Sequence, residues 1–328
     1  MSSPPFRWGV LAPGRIAHRF AQALDSVEGA RLHAVASRSP ERSQAFAQRY
    51  RAPVHYDSYE ALAGDPEVDA VYIASPHRFH HGQARLCLEA GKPVLVEKPF
   101  TVNALQATDL IALAQTKDLF LMEALWSRFL PVYRRVREWL DDGAIGTIQL
   151  ISSTFCFRAE PDPSDRKFNH ELAGGALLDL GVYNISLSQW VTGENPSAVG
   201  ALARLGATGV DELTAATLVY PQNVVSQFTC SFLFDGINDF LIYGTRGHVR
   251  VQAKFWESTR ATLVADGKET VAALPFRQNG FEYQIEEAMR CIREGRWESE
   301  GMPLASTISN METMDEIRRQ IGLRYSFE

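Results

Sequence analysis

The chain has 328 residues, 45% of them apolar, which is enough for about two domains with a sizeable buried core. Its formal net charge is -6 with acidic and basic residues interspersed, so nothing in the composition favours nucleic acid or an anionic membrane as a partner. The four cysteines form neither CxxC pairs nor Cys/His clusters, which argues against a metal site and against a disulfide framework.

The N-terminus is short and polar. Residues 1–7 include two prolines and lack the apolar core of a signal peptide. We also find no apolar stretch long enough to span a membrane. We therefore expect a cytoplasmic protein.

From residue 6 to about residue 124, short apolar runs alternate with helix-like stretches. This alternation is typical of βαβ units around a parallel sheet. The predicted strands are 8–11, 32–36, 70–74, 93–96 and 120–122. The predicted helices are 15–24, 40–50, 81–90 and 104–115.

The turn after the first strand resembles a dinucleotide-binding loop. Its residues fit the pattern G-x-G-x-x-G/A, with an alanine in the first glycine position: Ala12, Pro13, Gly14, Arg15, Ile16 and Ala17. In this pattern Gly14 lets the backbone approach a pyrophosphate, and the helix N-terminus supplies N–H groups and a favourable dipole. Ala12 requires the tight turn to tolerate a methyl group. A purely structural turn is the alternative, but its place at the first strand of a βαβαβ series favours nucleotide binding.

The end of the second strand indicates which nucleotide. NAD-specific domains place an acidic residue there, whereas NADP-specific ones offer an arginine to the 2′-phosphate. This chain has no carboxylate at that point and instead has Ser37 and Arg38, with Arg42 nearby. Charge-assisted hydrogen bonds from these groups favour NADP over NAD. The alternative is that Arg38 is a solvated residue at a helix start.

Glu97-Lys98-Pro99 follows the strand 93–96. Lys98 therefore lies at the carboxyl edge of a parallel sheet, where open α/β folds bind their ligands. A surface lysine paired with Glu97 is the alternative.

The second half of the chain changes in character after a helix at 131–141. Segments with the period-2 pattern of half-exposed strands follow at 149–157, 199–205, 213–220, 227–232, 240–243, 248–251 and 261–264, with a helix at 176–191 and two more near the C-terminus. We therefore predict an α/β fold with an N-terminal doubly wound Rossmann domain, residues 1–124, and a C-terminal α+β domain, residues 125–328. The second domain has a large open, mostly antiparallel sheet, and we expect the C-terminal helix to pack back on the first domain.

A glycine pair, Gly174 and Gly175, opens the helix at 176–191. On this helix Asp179 and Tyr183 are four residues apart and share one face. The alternative makes Tyr183 a core aromatic residue and Asp179 a first-turn residue favoured by the helix dipole.

The loop 9–17, Glu97-Lys98-Pro99 and the segment 174–183 together resemble the glucose-fructose oxidoreductase/inositol dehydrogenase (Gfo/Idh/MocA) family over nearly the whole chain. Within the family the chain is most similar to dimeric dihydrodiol dehydrogenases and NADP-dependent D-xylose dehydrogenases. This likeness rests on the sequence from Gly174 to Tyr183 and on Met302-Pro303-Leu304 before the segment 314–318.

The resemblance implies a set of site residues. The catalytic group would be Lys98, Asp179 and Tyr183, with Trp126 and Arg128 near the cofactor and substrate. Family members tend to hold the Lys-Pro bond in cis, and the open sheet face would form a homodimer or a dimer of dimers. The family carries Pro-Asn-x-x-His where this chain has Pro76-His77-Arg78-Phe79-His80, so His77 replaces the asparagine. The cofactor contacts implied there involve Ser75, Pro76, His77, His80 and Glu97.

Four more residues of the second half, Phe155, Phe157, Arg158 and Arg166, could shape a pocket for a polyol or diol together with Trp126. An aromatic core layer with solvated arginines is the alternative.

The implied reaction removes a hydride from a substrate carbon while the adjacent hydroxyl loses a proton to Tyr183 as general base. A phenol with an ordinary pKa of about 10 needs a neighbouring ammonium to ionise at neutral pH, and Lys98 would supply it. The opposite assignment, with Lys98 as the base, uses the same residues. Asp179 could orient this pair or bind the sugar.

The predicted function is an NADP-dependent dehydrogenase of an aldose sugar or a cyclic trans-diol. A non-catalytic nucleotide-binding regulator of the same architecture is one alternative, and the retention of all three candidate catalytic groups argues against it. An enzyme with a tightly held cofactor that oxidises one sugar and reduces another is the second alternative. The short N-terminus, which lacks a secretory leader, argues against that one.

Overall fold

The structure is a computed structural model and describes residues 4–328. Contacts within the chain divide it into two compact units. The first unit contains the chain up to Trp126 together with Arg277–Thr307, and the second contains Ser127–Phe276 together with Ile308–Glu328.

The first unit is built on a six-stranded sheet. Its strands are β1 (Phe6–Leu11), β2 (Ala30–Ala36), β3 (Val54–Tyr56), β4 (Ala70–Ile73), β5 (Val94–Glu97) and β6 (Leu121–Ala124). The helices between them are α1 (Arg15–Leu24), α2 (Pro40–Tyr50), α3 (Tyr59–Ala63), α4 (His80–Glu89) and α5 (Ala104–Thr116). The strand order is β3-β2-β1-β4-β5-β6, and neighbouring strands run parallel. This is the order of a doubly wound dinucleotide-binding sheet, which confirms the predicted fold class.

Burial on both faces explains the apolar runs of these strands. Every residue of β4 and β5 is buried, as expected when helices cover a parallel sheet on both sides. The strand order reverses between β1 and β4. The carboxyl ends of these two strands therefore form the switch point, where such sheets bind their ligands.

The second unit contains an eight-stranded sheet. Its strands are β7 (Ile148–Cys156), β8 (Ala198–Leu205), β9 (Asp211–Val219), β10 (Val225–Ser231), β11 (Phe240–Gly244), β12 (Gly247–Val251), β13 (Arg260–Ala265) and β14 (Lys268–Ala273). The order is β14-β13-β12-β11-β7-β10-β9-β8. Strands β7 and β10 run parallel, and the other neighbouring pairs run antiparallel. The remaining helices are α6 (Pro131–Asp141), α7 (Val182–Thr192), α8 (Glu282–Arg293) and α9 (Leu304–Ile321).

One face of the eight-stranded sheet is covered and the other is open. The side chain of Asn184 in α7 donates to Ser153 Oγ at 2.7 Å, so α7 packs on the face that carries Ser153. The neighbouring residue Ser152 lies on the opposite face, in register with Gln227 of β10, and both are at least partly exposed. The alternation along these strands therefore separates core from open surface, as the period-2 pattern predicts.

The predicted helices 15–24, 40–50 and 131–141 agree with α1, α2 and α6. The prediction omits β3 and α3, which are three and five residues long and too short to show a period. The predicted continuous helix at 176–191 is wrong at its start, because Leu177–Gly181 forms a wider π-helical turn before α7 begins. Among the helices of residues 4–328, none combines the length and the apolar character that crossing a membrane requires.

Candidate active site

The turn between β1 and α1 has the geometry of a nucleotide loop. Gly14 is the N-cap of α1, and no side chain caps the helix there. The first N–H groups of α1 are therefore available to a ligand. The amide of Ala12 donates to Ala36 O at 2.9 Å, which joins the turn to the end of β2. Ala12 has φ +59°, so the methyl group at the first glycine position is accommodated in a left-handed conformation that favours glycine.

Gly14 itself has an ordinary backbone, with φ -90° and ψ -171°. A Cβ added to it would meet Ala74 O at 3.4 Å, an ordinary van der Waals contact. The protein's own packing therefore does not require glycine here, whereas close approach of a pyrophosphate does. The flanking Pro13 and Ile16 are half-buried and Arg15 is exposed. The loop fits the phosphate end of a dinucleotide.

The end of β2 presents a serine and an exposed guanidinium. Ser37 is buried, and its Oγ accepts the backbone N–H of Ser39 at 3.2 Å. Arg38 is exposed, with its guanidinium 5.5 Å from the centre of the Phe79 ring. The next acidic side chain along the chain, Glu41, accepts the Ser39 hydroxyl at 2.7 Å. An arginine and no carboxylate therefore stand where the ribose of a dinucleotide is recognised.

Buried carboxylates hold the backbone on both sides of Lys98. Glu97 Oε2 accepts the N–H of Lys98 at 3.2 Å, and Glu123 Oε1 accepts the N–H of Phe100 at 3.0 Å. The Lys98–Pro99 peptide bond is cis, as the resemblance implies. Both side chains are nearly fully buried, so these hydrogen bonds lie in a medium of low dielectric constant, where they are stronger than in water. They fix the backbone that carries the Lys98 side chain.

His80 connects this loop to the loop after β4. Its ring is fully buried, with Nδ1 2.8 Å from Pro99 O and Nε2 2.9 Å from Ser75 O. Each ring nitrogen therefore faces a backbone carbonyl oxygen, and the ring joins the two loops. The buried His77 ring lies edge-on to it, 5.9 Å away, in a 3₁₀ turn capped by Pro76. The buried Ser75 hydroxyl has no hydrogen-bond partner among the described residues, so it fits a ligand group at the switch point.

Trp126 and Arg128 are both buried against neighbours of their own units. The Trp126 ring lies 4.9 Å from that of Phe281 and 4.4 Å below the guanidinium of Arg19. Arg128 Nε and Nη2 donate to the side chain and backbone oxygens of Ser186 in α7, at 3.0 and 2.8 Å. The cofactor and substrate roles of both residues remain predictions.

The structure brings Asp179 and Arg166 together in the second unit. Arg166 Nη2 donates to Asp179 Oδ2 at 3.1 Å, and the carboxylate is 5% exposed while the arginine side chain is 38% exposed. Tyr183 follows in the first turn of α7 and is also buried, with its ring 5.6 Å from that of Phe155. An acidic, a basic and a phenolic group of the predicted site thus belong to one short stretch of this unit.

Close approaches of the backbone explain the glycine pair before this stretch. A Cβ on Gly174 would lie 2.7 Å from Lys167 O, and one on Gly175 would overlap with Asp211 Oδ1. Gly175 also has φ +124°, which L side chains rarely adopt. The pair therefore lets other segments approach the start of the π-helical turn.

Three aromatic side chains, Phe155, Phe157 and Trp256, form an aromatic wall beside Tyr183. Phe155 stacks on Trp256 at a ring distance of 3.5 Å and an angle of 8°, and Phe157 follows 6.4 Å from Phe155. Arg158 is exposed, and its backbone N–H donates to Asp235 Oδ1 at 3.1 Å. Sequence reasoning omits Trp256, although an aromatic pair in a loop between strands could have indicated it.

Sequence reasoning also omits Glu123. An acidic residue inside the otherwise apolar strand β6 could have revealed it, since a buried carboxylate needs partners. Among residues 4–328 there is no group of His, Cys, Asp and Glu side chains arranged to hold a metal ion. The four cysteines are free and buried, and burial raises the pKa of the Cys87 thiol to about 12.

Known proteins match this chain over both units. Residues 6–125 match the family described as "Oxidoreductase family, NAD-binding Rossmann fold", and residues 133–250 match the GFO/IDH/MocA C-terminal domain. Trans-1,2-dihydrobenzene-1,2-diol dehydrogenase of Mus musculus is 36% identical over 97% of this chain and 98% of its own length.

Solved structures of oxidoreductases also match this chain over nearly its whole length. KijD10, a 3-ketoreductase from Actinomadura kijaniata in complex with NADP and TDP-benzene, is 28% identical with a TM-score of 0.88, covering 97% of this chain and 98% of that one. The aldose-aldose oxidoreductase from Caulobacter crescentus complexed with glycerol is 23% identical with a TM-score of 0.88, covering 96% and 97%, and so shares the fold.

Proposed function

This chain belongs to the Gfo/Idh/MocA oxidoreductase family, and on that premise we propose that it is an NADP-dependent dehydrogenase that oxidises a hydroxyl group of an aldose sugar or of a cyclic trans-diol. Its class is that of NAD(P)-dependent oxidoreductases acting on CH–OH groups. The observation that carries the narrower proposal is the buried Asp179, paired with Arg166 one turn before Tyr183, in a chain whose full-length relatives are dihydrodiol dehydrogenases.

The choice of NADP is supported by the end of β2. Arg38 is exposed there beside Ser37, and the guanidinium can bind a 2′-phosphate through paired charge-assisted hydrogen bonds. The related 3-ketoreductase KijD10 was crystallised with NADP. In the proposed complex the loop Ala12–Ile16 and Ser75 hold the pyrophosphate and nicotinamide portions. When bound, the nicotinamide ring accepts the hydride.

Residues of the chain accept the proton that the substrate hydroxyl releases. We propose that Tyr183 accepts the proton of the substrate hydroxyl and that the Lys98 ammonium favours the phenolate over the phenol. The same two residues serve in the reverse assignment, with Lys98 as the base and Tyr183 as the donor to the substrate oxygen. Asp179, held by Arg166, accepts a hydrogen bond from a second substrate hydroxyl and so orients the reacting carbon.

The substrate class follows from the lining of the second unit. Phe155, Phe157 and Trp256 offer apolar faces. Arg166 and Asp179 form a polar pair in the same unit, and Asp179 lies four residues before Tyr183. A ring with one apolar face and adjacent hydroxyls, as in a pyranose or a cyclic diol, suits such a wall.

We also propose that the chain forms a homodimer, or a dimer of dimers, through the open face of the eight-stranded sheet. That face carries Leu202, which is 81% exposed, next to small and uncharged residues such as Ala215, Thr229 and Thr154 that share its register. An uncharged patch of this kind on an open sheet favours self-association. Light scattering should give a dimer or tetramer mass, and Leu202→Glu should shift it toward the monomer. A monomeric wild type would refute this part.

The test of the activity is direct. The purified protein is incubated with NADP⁺ or NAD⁺ and with D-xylose, D-glucose, inositol or trans-1,2-dihydrobenzene-1,2-diol, and the absorbance of reduced nicotinamide is followed. We expect reduction of NADP⁺ with at least one of them. Nucleotide binding without turnover would support the regulatory alternative, whereas a co-purifying cofactor that turns over only with a second sugar would support sugar-sugar exchange. Either result would refute the proposal.

A double-mutant cycle tests whether Tyr183 and Lys98 act on the same substrate hydroxyl. Tyr183→Phe keeps the ring against Phe155 but removes the hydroxyl, and we expect a loss in kcat of roughly 10² to 10⁴. Lys98→Ala should lose kcat while cofactor binding is largely kept. If the two groups act on one substrate hydroxyl, the double variant loses little more than either single variant. Additive losses would contradict the shared role.

A further inference from the structure

The buried carboxylate of Asp211 holds the backbone of the segment that carries Asp179. Asp211 begins β9 and is fully buried. Its Oδ2 accepts the backbone N–H of Leu177 at 2.7 Å and the hydroxyl of Thr214 at 2.7 Å. Leu177 is the first residue of the π-helical turn that contains Asp179. The carboxylate therefore caps this turn from a different strand.

The backbone just before the turn is held at the same place. The hydroxyl of Tyr325, in the C-terminal tail, donates to Gly174 O, and the N–H of Gly175 donates to Lys167 O at 2.9 Å. Gly175 O in turn accepts the N–H of Asp179 at 3.3 Å. The missing side chain of Gly175 is the space that Asp211 Oδ1 occupies. The glycine pair thus serves the approach of Asp211 and Tyr325.

We propose that Asp211 is a positioning residue: as a carboxylate anion it fixes the π-helical turn at Leu177, and through that turn it sets Asp179 for the reaction. The inference rests on the proposed function, because it assigns Asp179 to the substrate. Asp211 itself contacts neither substrate nor cofactor in this scheme. A charged acceptor holds a backbone N–H about twice as strongly as a neutral one.

The surroundings make the charge on Asp211 sensitive to pH. Burial raises the pKa of this carboxyl to about 7, although Thr214 and the Leu177 N–H stabilise the anion. The charged and titratable groups facing it are Arg318 of α9, Tyr325 of the tail and Cys230 of β10. Burial raises the pKa of Tyr325 and Cys230 well above their ordinary values, so both stay neutral near pH 7. Asp211 is therefore the member of this cluster that changes charge there.

The anion and the neutral acid hold the turn differently. Oδ1 has no hydrogen-bond partner among the described residues, so a proton can settle on it while Oδ2 becomes a weaker, neutral acceptor. An asparagine presents the same neutral acceptor at every pH. Asp211→Asn should therefore behave at all pH values as the protonated wild type does.

The test compares Asp211→Asn with wild type across pH. The ratio of kcat, variant to wild type, should be roughly threefold to tenfold below unity at about pH 8.5 and should return to near unity at about pH 6. Taking the ratio cancels the pH dependence of Lys98 and Tyr183. The dissociation constant of NADP⁺ should stay unchanged, because the residues proposed to hold its phosphates, the loop Ala12–Ile16 with Ser37 and Arg38, belong to the first unit. A merely structural Asp211 would give a ratio that does not change with pH.

Tyr325→Phe is the matched control. It removes one uncharged hydrogen bond from the same turn, so its ratio to wild type should not change with pH. A ratio for Asp211→Asn that is flat with pH, or near unity at about pH 8.5, would overturn the proposal.

Hydrogen exchange at the Leu177 amide gives a second reading that needs no turnover. In wild type its protection against local opening of the turn, with Asp211 still buried, should exceed that in Asp211→Asn at about pH 8.5 and match it at about pH 6, although the variant as a whole unfolds less readily at the higher pH. Equal protection at both pH values would overturn the inference. A wild type without turnover on any substrate would instead refute the proposed function, and the exchange measurement alone would then decide the role of Asp211.

Discussion

Replacement of Asp211 by asparagine is expected to make the protein more stable at alkaline pH than the wild type. The carboxyl has a pKa of about 7 in the folded chain and an ordinary value of 3.8 when exposed. Between these values the folded state binds a proton that the unfolded state has released. The free energy of unfolding therefore falls as pH rises through this window, and above about pH 7 the buried anion destabilises the fold by about 4 kcal/mol relative to acid conditions.

The asparagine variant lacks this dependence. Its buried amide nitrogen takes the place of Oδ1, where no acceptor lies among the described residues, at a cost of about 1–3 kcal/mol that does not vary with pH. The difference in unfolding free energy, variant minus wild type, should therefore rise by about 3 kcal/mol between about pH 5 and pH 8. Urea unfolding followed by tryptophan fluorescence measures it at each pH. The control Asp239→Asn removes a carboxylate paired with the half-exposed Arg250 and should show no comparable rise. A pH-independent difference for Asp211→Asn would refute the reasoning.

Three further substitutions test other parts of the site. Ala12→Gly should relieve the left-handed alanine and raise the unfolding free energy by about 0.5–1 kcal/mol in thermal unfolding, and a decrease would contradict the assigned strain. Arg166→Gln should lower kcat roughly tenfold with an unchanged NADP⁺ dissociation constant, because Asp179 loses the hydrogen bond from the guanidinium, and an unchanged kcat would return the pair to a structural role. Arg38→Ser should weaken NADP⁺ binding about tenfold and leave NAD⁺ binding unaltered, with the exposed Arg49→Ser as control, and equal losses for both nucleotides would argue against the 2′-phosphate contact.

The parts of the site that sequence predicts are those set by local patterns. The turn around Gly14 follows from a strand, a short glycine-containing loop and a helix start that are contiguous in the chain. The same holds for Lys98 at the end of β5 and for Asp179 and Tyr183 near a glycine pair. In each case the residue type and its position on an element are visible without knowledge of the rest of the fold.

The supporting contacts are not predictable in this way, because their partners are far apart in sequence. Glu123 accepts a hydrogen bond from a backbone amide 23 residues away in sequence, and Asp211 accepts one from an amide 34 residues away. Tyr325 donates to a carbonyl 151 residues away. The sequence also does not predict the π-helical turn before α7. Nearly every residue of α7 is buried, so no polar stripe reveals the helical period or a change in it.

Buried acidic side chains accept backbone hydrogen bonds from both candidate catalytic segments, the one with Lys98 and the one with Asp179. Whether such an acceptor is charged affects function. Lys98 lies between backbone amides held by Glu97 and Glu123, and the turn carrying Asp179 is held by Asp211. A neutral acceptor in place of Asp211 would remove the energetic penalty of burying a charge and would give a more stable fold above about pH 7. It would also bind the backbone amide less firmly. The buried Asp211 anion therefore exchanges folding stability for a fixed geometry around Asp179, a balance expected where a site must hold its groups in place.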